Sequence, residues 1–322
     1  MIVTRGILAL CALTLFSGPV AAETKYPDKP VRMIVGFTAG SATDVTGRMF
    51  AQKFSEAWGV PVTVENITGS SGAIGVERVA KSPPDGYTLM WTGNAAITIV
   101  PVLQGTPFDP TKDLAPITAA LVMPSILALN NDVPAKSLSE FVALAKKEPG
   151  KLSYATPGVG TPQHIAGEML RKQAEIDIIH VPYRGAQFTD VLGGRVTMAL
   201  QNAGALLPLV RDGKLRGIAT TGLTRLTKMP ELPTVAEQGY PGFEAISWFG
   251  LLAPAGTPQE VIDKVHKEAL KVLKDPLVRE RIDQLGLEPI GNAPAEMAAS
   301  IKGDLAKWDK VIKEAGIKPP TN

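Results

Sequence analysis

The chain has 322 residues, with 33 Lys and Arg against 31 Asp and Glu, so its net charge of +2 is close to neutral. No basic run with interleaved aromatic residues occurs, which argues against a nucleic-acid partner. The 31 Gly and 27 Pro are spread between periodic segments, a composition typical of a turn-rich globular protein.

The N-terminus has the layout of a secretory signal peptide. Arg5 precedes an apolar run at residues 6–16, and small residues end at Ala22. This run is shorter than the roughly 20 residues of a membrane span, which favours cleavage after Ala22 over anchoring. The only cysteine, Cys11, lies inside the signal, so the mature chain is predicted to have no disulfide or thiolate. We expect an exported, periplasmic protein that is not inserted in the membrane.

The mature chain of about 300 residues exceeds what one hydrophobic core usually organises, which predicts two domains. Short β-branched runs alternate with amphipathic segments in two successive units, which predicts parallel sheets covered on both faces. The first unit has strands at 31–35, 62–64 and 87–91 and helices at 44–58 and 75–81. The second has strands at 152–155, 178–181, 198–200 and 215–220 and helices at 137–147, 161–173, 188–192 and 204–212. Helices are also predicted at 258–273, 276–285 and 294–314.

Two apolar segments are predicted to cross between the units. Residues 117–130 are interrupted by Pro124, and residues 246–254 form the return. The predicted first lobe therefore comprises 23–122 and 250–322, and the second lobe 123–249. Ligands of open α/β sheets bind beyond the carboxyl ends of the strands, so we expect a cleft site there.

The loop after the first strand, residues 36–44 (the first loop), is rich in small residues and hydroxyls and leads into a helix. Its backbone N–H groups and the helix macrodipole favour an anion. Asp44 is interpreted as the N-cap of this helix, in preference to a ligand contact.

The corresponding loop of the second unit, residues 156–164 (the second loop), also leads from a strand into a helix. Gly158 and Gly160 permit positive φ, Pro162 suits a first helical turn, and Thr161 can cap the helix or bind a ligand. The third glycine of a dinucleotide fingerprint is absent, and no phosphate-binding lysine motif follows, so no nucleotide cofactor is predicted. Two such loops on two lobes could each hold one carboxylate, or be ordinary turns.

Other polar and aromatic residues are candidates for the same cleft. Asn94 follows a strand and could offer an amide, and Trp248 lies at the return crossing. Arg184 could grip a carboxylate or pin its own loop through an ion pair. His164 could point into the cleft or bond its neighbours, whereas His180 and His266 are interpreted as ordinary sheet-edge and surface residues.

Catalysis and metal binding are not predicted. No pair of histidines has metal-ligand spacing, the carboxylates are scattered over helices, and the chain has no nucleophile elbow or recognisable triad.

Ordered motifs along the mature chain resemble the substrate-binding proteins of tripartite tricarboxylate transporters, the Bug or TctC-like family. Besides the first loop, they are 26–30 (YPDKP), 85–89 (DGYTL), 154–158 (YATPG), 160–161 (GT), 181–185 (VPYRG), 213–216 (GKLR), 233–237 (PTVAE), 248–250 (WFG) and 253–258 (APAGTP).

The resemblance implies a two-lobed type II periplasmic-binding-protein fold with a Venus-flytrap cleft, and a monomer that closes on a carboxylate by hinge motion. The ligand-binding residues that it implies are Phe37, Ala39, Gly40, Ser41, Thr156, Pro157, Gly158 and Thr161. The family's common Asp-Asn pair is replaced here by Gln201 and Asn202. Loss of that carboxylate weakens the case for a ligand with an ammonium group and suits a plain acid.

The resulting prediction is a binding protein and not an enzyme. It captures a dicarboxylate or aromatic acid, without a cofactor, and delivers it to the membrane permease subunits of a tripartite transporter. A receptor that presents the ligand to a sensor kinase is the alternative, and a hydrolase on the same architecture is a third reading.

Overall fold

The computed structural model describes residues 26–183 and 187–319. The predicted signal peptide with its cleavage site, Cys11 and Arg184 lie outside the described residues. None of the helices within the described ranges combines the length and hydropathy that a membrane span requires.

Helices and strands alternate as the sequence pattern predicts. The strands are β1 (Val31–Val35), β2 (Val62–Asn66), β3 (Thr88–Gly93), β4 (Leu114–Met123), β5 (Ser125–Leu129), β6 (Ser153–Thr156), β7 (Ile179–Pro182), β8 (Met198–Asn202), β9 (Arg216–Thr220), β10 (Ser247–Pro254) and β11 (Glu288–Pro289). The helices are α1 (Ala42–Trp58), α2 (Ala73–Ala80), α3 (Val100–Gln104), α4 (Leu138–Lys147), α5 (Pro162–Gln173), α6 (Gln187–Leu192), α7 (Ala203–Arg211), α8 (Gln259–Val272), α9 (Pro276–Gln284) and α10 (Pro294–Ala315).

The strands form two mixed sheets, ordered β11-β4-β10-β3-β1-β2 and β7-β6-β8-β5-β9. The prediction of parallel pairing is right for β2-β1-β3 and β7-β6-β8. The strands of the two crossings, β5 and β10, for which the sequence predicts no pairing, are antiparallel to their neighbours, so β9 is held in its sheet by an antiparallel partner. These strands enter each sheet from the other one, so they run against the strands that begin within it.

The crossing at Pro124 brings the carboxyl ends of both parallel sets to facing edges. Both β3 and β4 pair antiparallel with β10, so β4 runs in the direction of β1 and β3 and ends at Met123. Two residues later β5 begins at Ser125, which lies opposite Asn202 at the end of β8. The first loop follows β1 and the second loop follows β6, so both loops lie on the edges that Pro124 joins.

Each sheet has apolar clusters on its faces, but the C-terminal helix serves both sheets. Met297 and Ile301 of α10 pack with residues of the first sheet, whereas Trp308 and Ile312 pack in the core of the second. The stretch around Ile99, like α10, contributes residues to the clusters of both sheets. The lobe boundaries proposed from the sequence stay a prediction.

Candidate functional site

The first loop is held in shape by its own helix start. Ser41 is the N-cap of α1, and its Oγ accepts the N–H of Asp44 at 3.2 Å. The prediction of Asp44 as N-cap is therefore wrong, because the helix begins two residues earlier than the apolar pattern indicates. Gly40 has φ of +81°, a conformation that glycine adopts without strain.

The buried Asp44 carboxylate clamps the loop from within. It accepts the N–H of Gly40 at 2.8 Å, Arg48 Nε at 3.0 Å and Asn66 Nδ2 at 2.8 Å. Asn66 Nδ2 also donates to the carbonyl oxygen of Phe37 at 2.9 Å. Burial opposes ionisation, but hydrogen bonds from Arg48, Asn66 and Gly40 outweigh it and lower the pKa of the Asp44 carboxyl. Asp44 is thus fully engaged in shaping the loop, and Arg48 is engaged with it.

Several backbone N–H groups of the first loop remain available for a ligand. The N–H groups without an acceptor among the described residues are those of Phe37, Thr38, Ala39, Ala42 and Thr43. The last two belong to the first turn of α1, where the helix itself supplies no acceptor. This part of the site therefore offers neutral donors at the positive end of a helix dipole.

The second loop repeats this design. Thr161 is the N-cap of α5, one of the two roles that the sequence leaves open for it: its Oγ1 accepts the N–H of His164 at 3.2 Å and donates to the carbonyl oxygen of Gly158 at 2.8 Å. The Thr161 hydroxyl is therefore occupied within the loop. The N–H groups of Val159, Thr161 and Gln163 have no acceptor among the described residues.

His164 and His180 form a stacked pair beneath the second loop. Their ring centroids are 3.9 Å apart with planes 14° from parallel. His164 Nδ1 accepts the N–H of Gly160 at 3.1 Å, and His180 Nε2 lies 2.6 Å from Thr156 Oγ1. Burial lowers the pKa of His164, and burial together with His164 lowers the pKa of His180 to about 3. Both rings are therefore neutral at pH 7, which His164 must be to accept that bond.

The interpretation of His180 as an ordinary sheet-edge residue missed this role. It lies on the edge strand β7, and its ring reaches the loop because Tyr154 on β6 pairs with it in register. The i to i+24 spacing of Thr156 and His180 left no signal in the sequence.

Gln201 and Asn202 lie at the end of β8, beside the second loop. Gln163 Nε2, on α5, donates to Asn202 Oδ1 at 2.5 Å and to Ser125 Oγ at 3.0 Å. Gln201 Oε1 accepts the backbone N–H of Asn202 at 2.8 Å. Because a backbone N–H can only donate, the bonded end of the Gln201 amide is its oxygen. The NH₂ group of Gln201 is therefore the end that remains available for a ligand.

Asn94 and Trp248 are tied to the return crossing. Asn94 Nδ2 donates to the carbonyl oxygen of Ile246 at 2.9 Å, and its Oδ1 accepts the N–H of Trp248. The Asn94 side chain is thus committed to the joint between the lobes. Trp248 is buried and borders a cavity beside α10.

Sequence reasoning also missed the segment that connects the two loops. Residues 95–99 form a π-helical turn that continues into α3. A Cβ on Gly72 would lie 3.0 Å from the Phe37 ring and 3.1 Å from Ala96, while one on Gly160 would lie 2.7 Å from Leu103. This segment therefore contacts the neighbourhood of the first loop at one end and the second loop at the other.

The chemistry of the site is that of anion capture by neutral groups. Apart from Asp44, whose bonds are internal, neither loop contains a charged residue. Among residues 26–183 and 187–319, no group of three or more His, Cys, Asp or Glu side chains could hold a metal ion. The described part of both loops offers backbone N–H groups, which suit a carboxylate.

Comparison with known proteins identifies relatives over nearly the whole chain. A family model described as "Tripartite tricarboxylate transporter family receptor" matches residues 46–317. A UPF0065 protein from the tcbD–tcbE intergenic region of Pseudomonas sp. (strain P51) is 34% identical, covering 96% of this chain and 94% of that protein. Protein BugT of Bordetella pertussis is 33% identical and covers 94% of each.

Solved structures share the two-lobed fold. A Rhodopseudomonas palustris protein, Rpa4515 with adipate, is 32% identical with a TM-score of 0.75, covering 92% of this chain and 100% of that one. MatC from the same species, with bound malate, is 28% identical with a TM-score of 0.71, covering 89% and 100%. A TctC solute-binding protein from Polaromonas, without ligand, is 26% identical with a TM-score of 0.81, covering 90% and 99%. The prediction of a two-lobed periplasmic-binding-protein fold is confirmed.

Proposed function

The chain belongs to the family of tripartite tricarboxylate transporter receptors, and from this premise we propose that it captures a small dicarboxylate or aromatic acid between its two loops. It acts by binding and release, without turning the ligand over. The adipate and malate found in two related structures support a carboxylate ligand.

The observation that carries this proposal is the pairing of two matched helix starts on facing edges. Each is capped by its own hydroxyl, Ser41 or Thr161, and each leaves backbone N–H groups without an internal acceptor. Fixed N–H donors at a helix N-terminus suit an oxyanion. Phe37, Ala39, Gly40 and Ser41 of the first loop act together with the second-loop residues Thr156, Pro157, Gly158 and Thr161.

The free end of Gln201 determines which ligands fit best. Its NH₂ group is a donor, and the residue is only 8% exposed. A donor here pairs with a carboxylate or hydroxyl oxygen of the ligand and gives an ammonium group no acceptor. We therefore expect plain organic acids to bind more tightly than amino acids of the same length.

Capture proceeds by hinge closure about the two crossings. Contacts that a carboxylate makes with both loops shift the population toward the closed form.

A thermal-shift screen of organic acids tests the binding proposal. A ligand that binds only the folded protein stabilises it by mass action, so a cognate acid at well above its Kd raises the Tm. The matched monoester or amide of the same acid is the control and gives no shift. A broad screen of di-, tri- and aromatic carboxylates without any shift would contradict the proposal.

Delivery to membrane permease subunits and residence in the periplasm are tested separately. N-terminal sequencing of the periplasmic form is expected to begin at Glu23. Uptake of the radiolabelled cognate acid is expected to be lost when the gene is deleted and restored by complementation. Unchanged uptake, with binding intact, would remove the transport role and favour a sensor kinase as the partner.

A further inference from the structure

The cavity that Trp248 borders lies at the joint between the lobes, away from both loops. Its volume is about 400 Å³, within the range of small-molecule sites. The lining comes from β4, the return crossing, the stretch before α10 and α10 itself: Ala119, Val122, Glu244, Ile246, Trp248, Ile290, Asn292, Met297, Ser300, Gly303, Asp304, Lys307 and Trp308.

Glu244 brings an unpaired carboxylate to this cavity. The residue is half-buried, and its carboxylate has no hydrogen-bond partner among the described residues. The nearest cation, Lys307, is turned elsewhere: its Nζ lies 3.0 Å from Asp304 Oδ1 and donates to the backbone carbonyl oxygen of Glu244. Burial raises the pKa of Glu244, Lys307 opposes that rise and Asp304 adds to it. The cavity therefore carries two carboxylates and one ammonium group.

The walls around these charges are apolar and aromatic. Trp248 and Trp308 are each at least nine-tenths buried, and neither indole N–H has an acceptor among the described residues. Lys307 Nζ lies 4.2 Å from the centre of the Trp308 ring, so a cation is already tolerated against this wall. A guest would not have to break an internal hydrogen-bond network to enter.

We propose that this cavity binds a small organic primary ammonium compound, with its NH₃⁺ group on Glu244 and its carbon chain against Trp248 and Met297. The net negative charge of the lining disfavours an anion, and the apolar walls favour an alkyl chain over a bare metal ion. The guest differs in charge from the carboxylate proposed for the cleft, so the two sites select different molecules.

The position of the cavity couples its occupancy to the cleft. Trp248 packs with the first sheet, whereas Trp308 packs in the core of the second. Rotation of the lobes therefore changes the distance between opposite walls. A guest that fits one lobe arrangement better shifts the affinity of the cleft ligand, and the cleft ligand shifts the guest's affinity by the same factor.

Isothermal titration of the mature protein with n-butylammonium chloride tests the site, with 1-butanol and sodium butyrate as matched guests without the cation. Saturable binding of n-butylammonium alone is expected, weakened about tenfold in Glu244→Gln because a charge-assisted bond is lost. Glu231→Gln, an exposed carboxylate elsewhere, is the control and leaves the affinity unchanged. Equal affinity in wild type and Glu244→Gln, equal binding of 1-butanol, or no saturable heat would overturn the proposal.

Gly303→Leu keeps the test decisive if Glu244→Gln fails to fold. Gly303 lines the cavity on α10, and a Cβ there meets no atom within 4 Å. The larger side chain occupies the cavity and is expected to abolish binding, whereas Gly303→Ala retains it. Retained binding in a folded Gly303→Leu variant would also contradict the proposal.

Discussion

Replacing Asp44 by alanine removes the clamp that shapes the first loop. The carboxylate accepts hydrogen bonds from Gly40, Arg48 and Asn66, and its side chain is only 3% exposed. After the substitution, Gly40 loses its tether and the Asn66 amide loses one of its two acceptors. The loop then has to be ordered at the moment of ligand binding.

The size of the effect follows from these three bonds. Hydrogen bonds to a charged group contribute about 1.5–3 kcal/mol each, and the half-exposed Arg48 contributes about 0–1 kcal/mol. Because Gly40 and Asn66 recover part of their loss by binding water, we expect Asp44→Ala to cost about 2–4 kcal/mol of unfolding free energy. Ordering one loop residue costs about 1–2 kcal/mol, so the Kd for the cleft ligand is expected to rise about tenfold.

Urea unfolding and ligand titration of the variant check both expectations. Glu56→Gln is the matched control, because Glu56 is an exposed carboxylate on the same helix with only surface partners. The bonds of Asp44 stabilise the fold above the ordinary carboxyl pKa and are lost as the pH falls through its lowered pKa, so wild type and variant converge in strong acid. A stability loss no larger than that of Glu56→Gln would refute the reasoning.

Three further substitutions test other parts of the account. Thr161→Ala removes the N-cap of α5, and we expect a loss of about 1 kcal/mol in denaturant unfolding together with weaker ligand binding; unchanged affinity would remove the second loop from the site. The pKa of His180 is lower in the folded protein than in the unfolded chain, so the wild-type Tm is expected to fall as the pH drops below about 6.5 toward 3. The His180→Gln variant is expected to show a smaller fall. Parallel pH profiles of the two proteins would contradict a buried, neutral His180 ring. A Cβ on Gly204 would lie 2.3 Å from the carbonyl oxygen of Leu285, so Gly204→Ala is expected to lower the unfolding free energy by about 1–3 kcal/mol in thermal unfolding. Gly303→Ala, whose Cβ meets no atom within 4 Å, is expected to be neutral or stabilising. Equal effects of the two substitutions would contradict the expected clash at Gly204.

The elements and crossings could be read from the sequence because local signals carry them. Pro124 interrupts one long apolar run, and this break is where the chain passes from β4 to β5. Thr161 followed by Pro162 is a local cap signal, and the helix begins there. The start of α1 differs from the prediction because Ala42 and Thr43 precede the first large apolar residue of the periodic pattern, Val45, so the cap is Ser41 and not Asp44.

The features that could not be predicted depend on residues far apart in the chain. The stacking of His164 on His180 and the bond from Gln163 to Asn202 arise from the register of β6, β7 and β8. The division of α10 between two cores leaves no mark in its amphipathic pattern, since one face remains apolar throughout. The candidate ligand-binding residues stay a prediction, although the structure places those of both loops on facing edges.

Hydrogen–deuterium exchange with and without a cognate acid, followed at single-residue resolution, tests the central claim most directly. If one ligand bridges both loops, the protection of backbone amides increases in both loops together. The amides concerned are those of residues 37–39, 42 and 43 in the first loop and of residues 159, 161 and 163 in the second loop. Protection confined to one loop, or found elsewhere while both loops exchange unchanged, would contradict capture of a carboxylate between them.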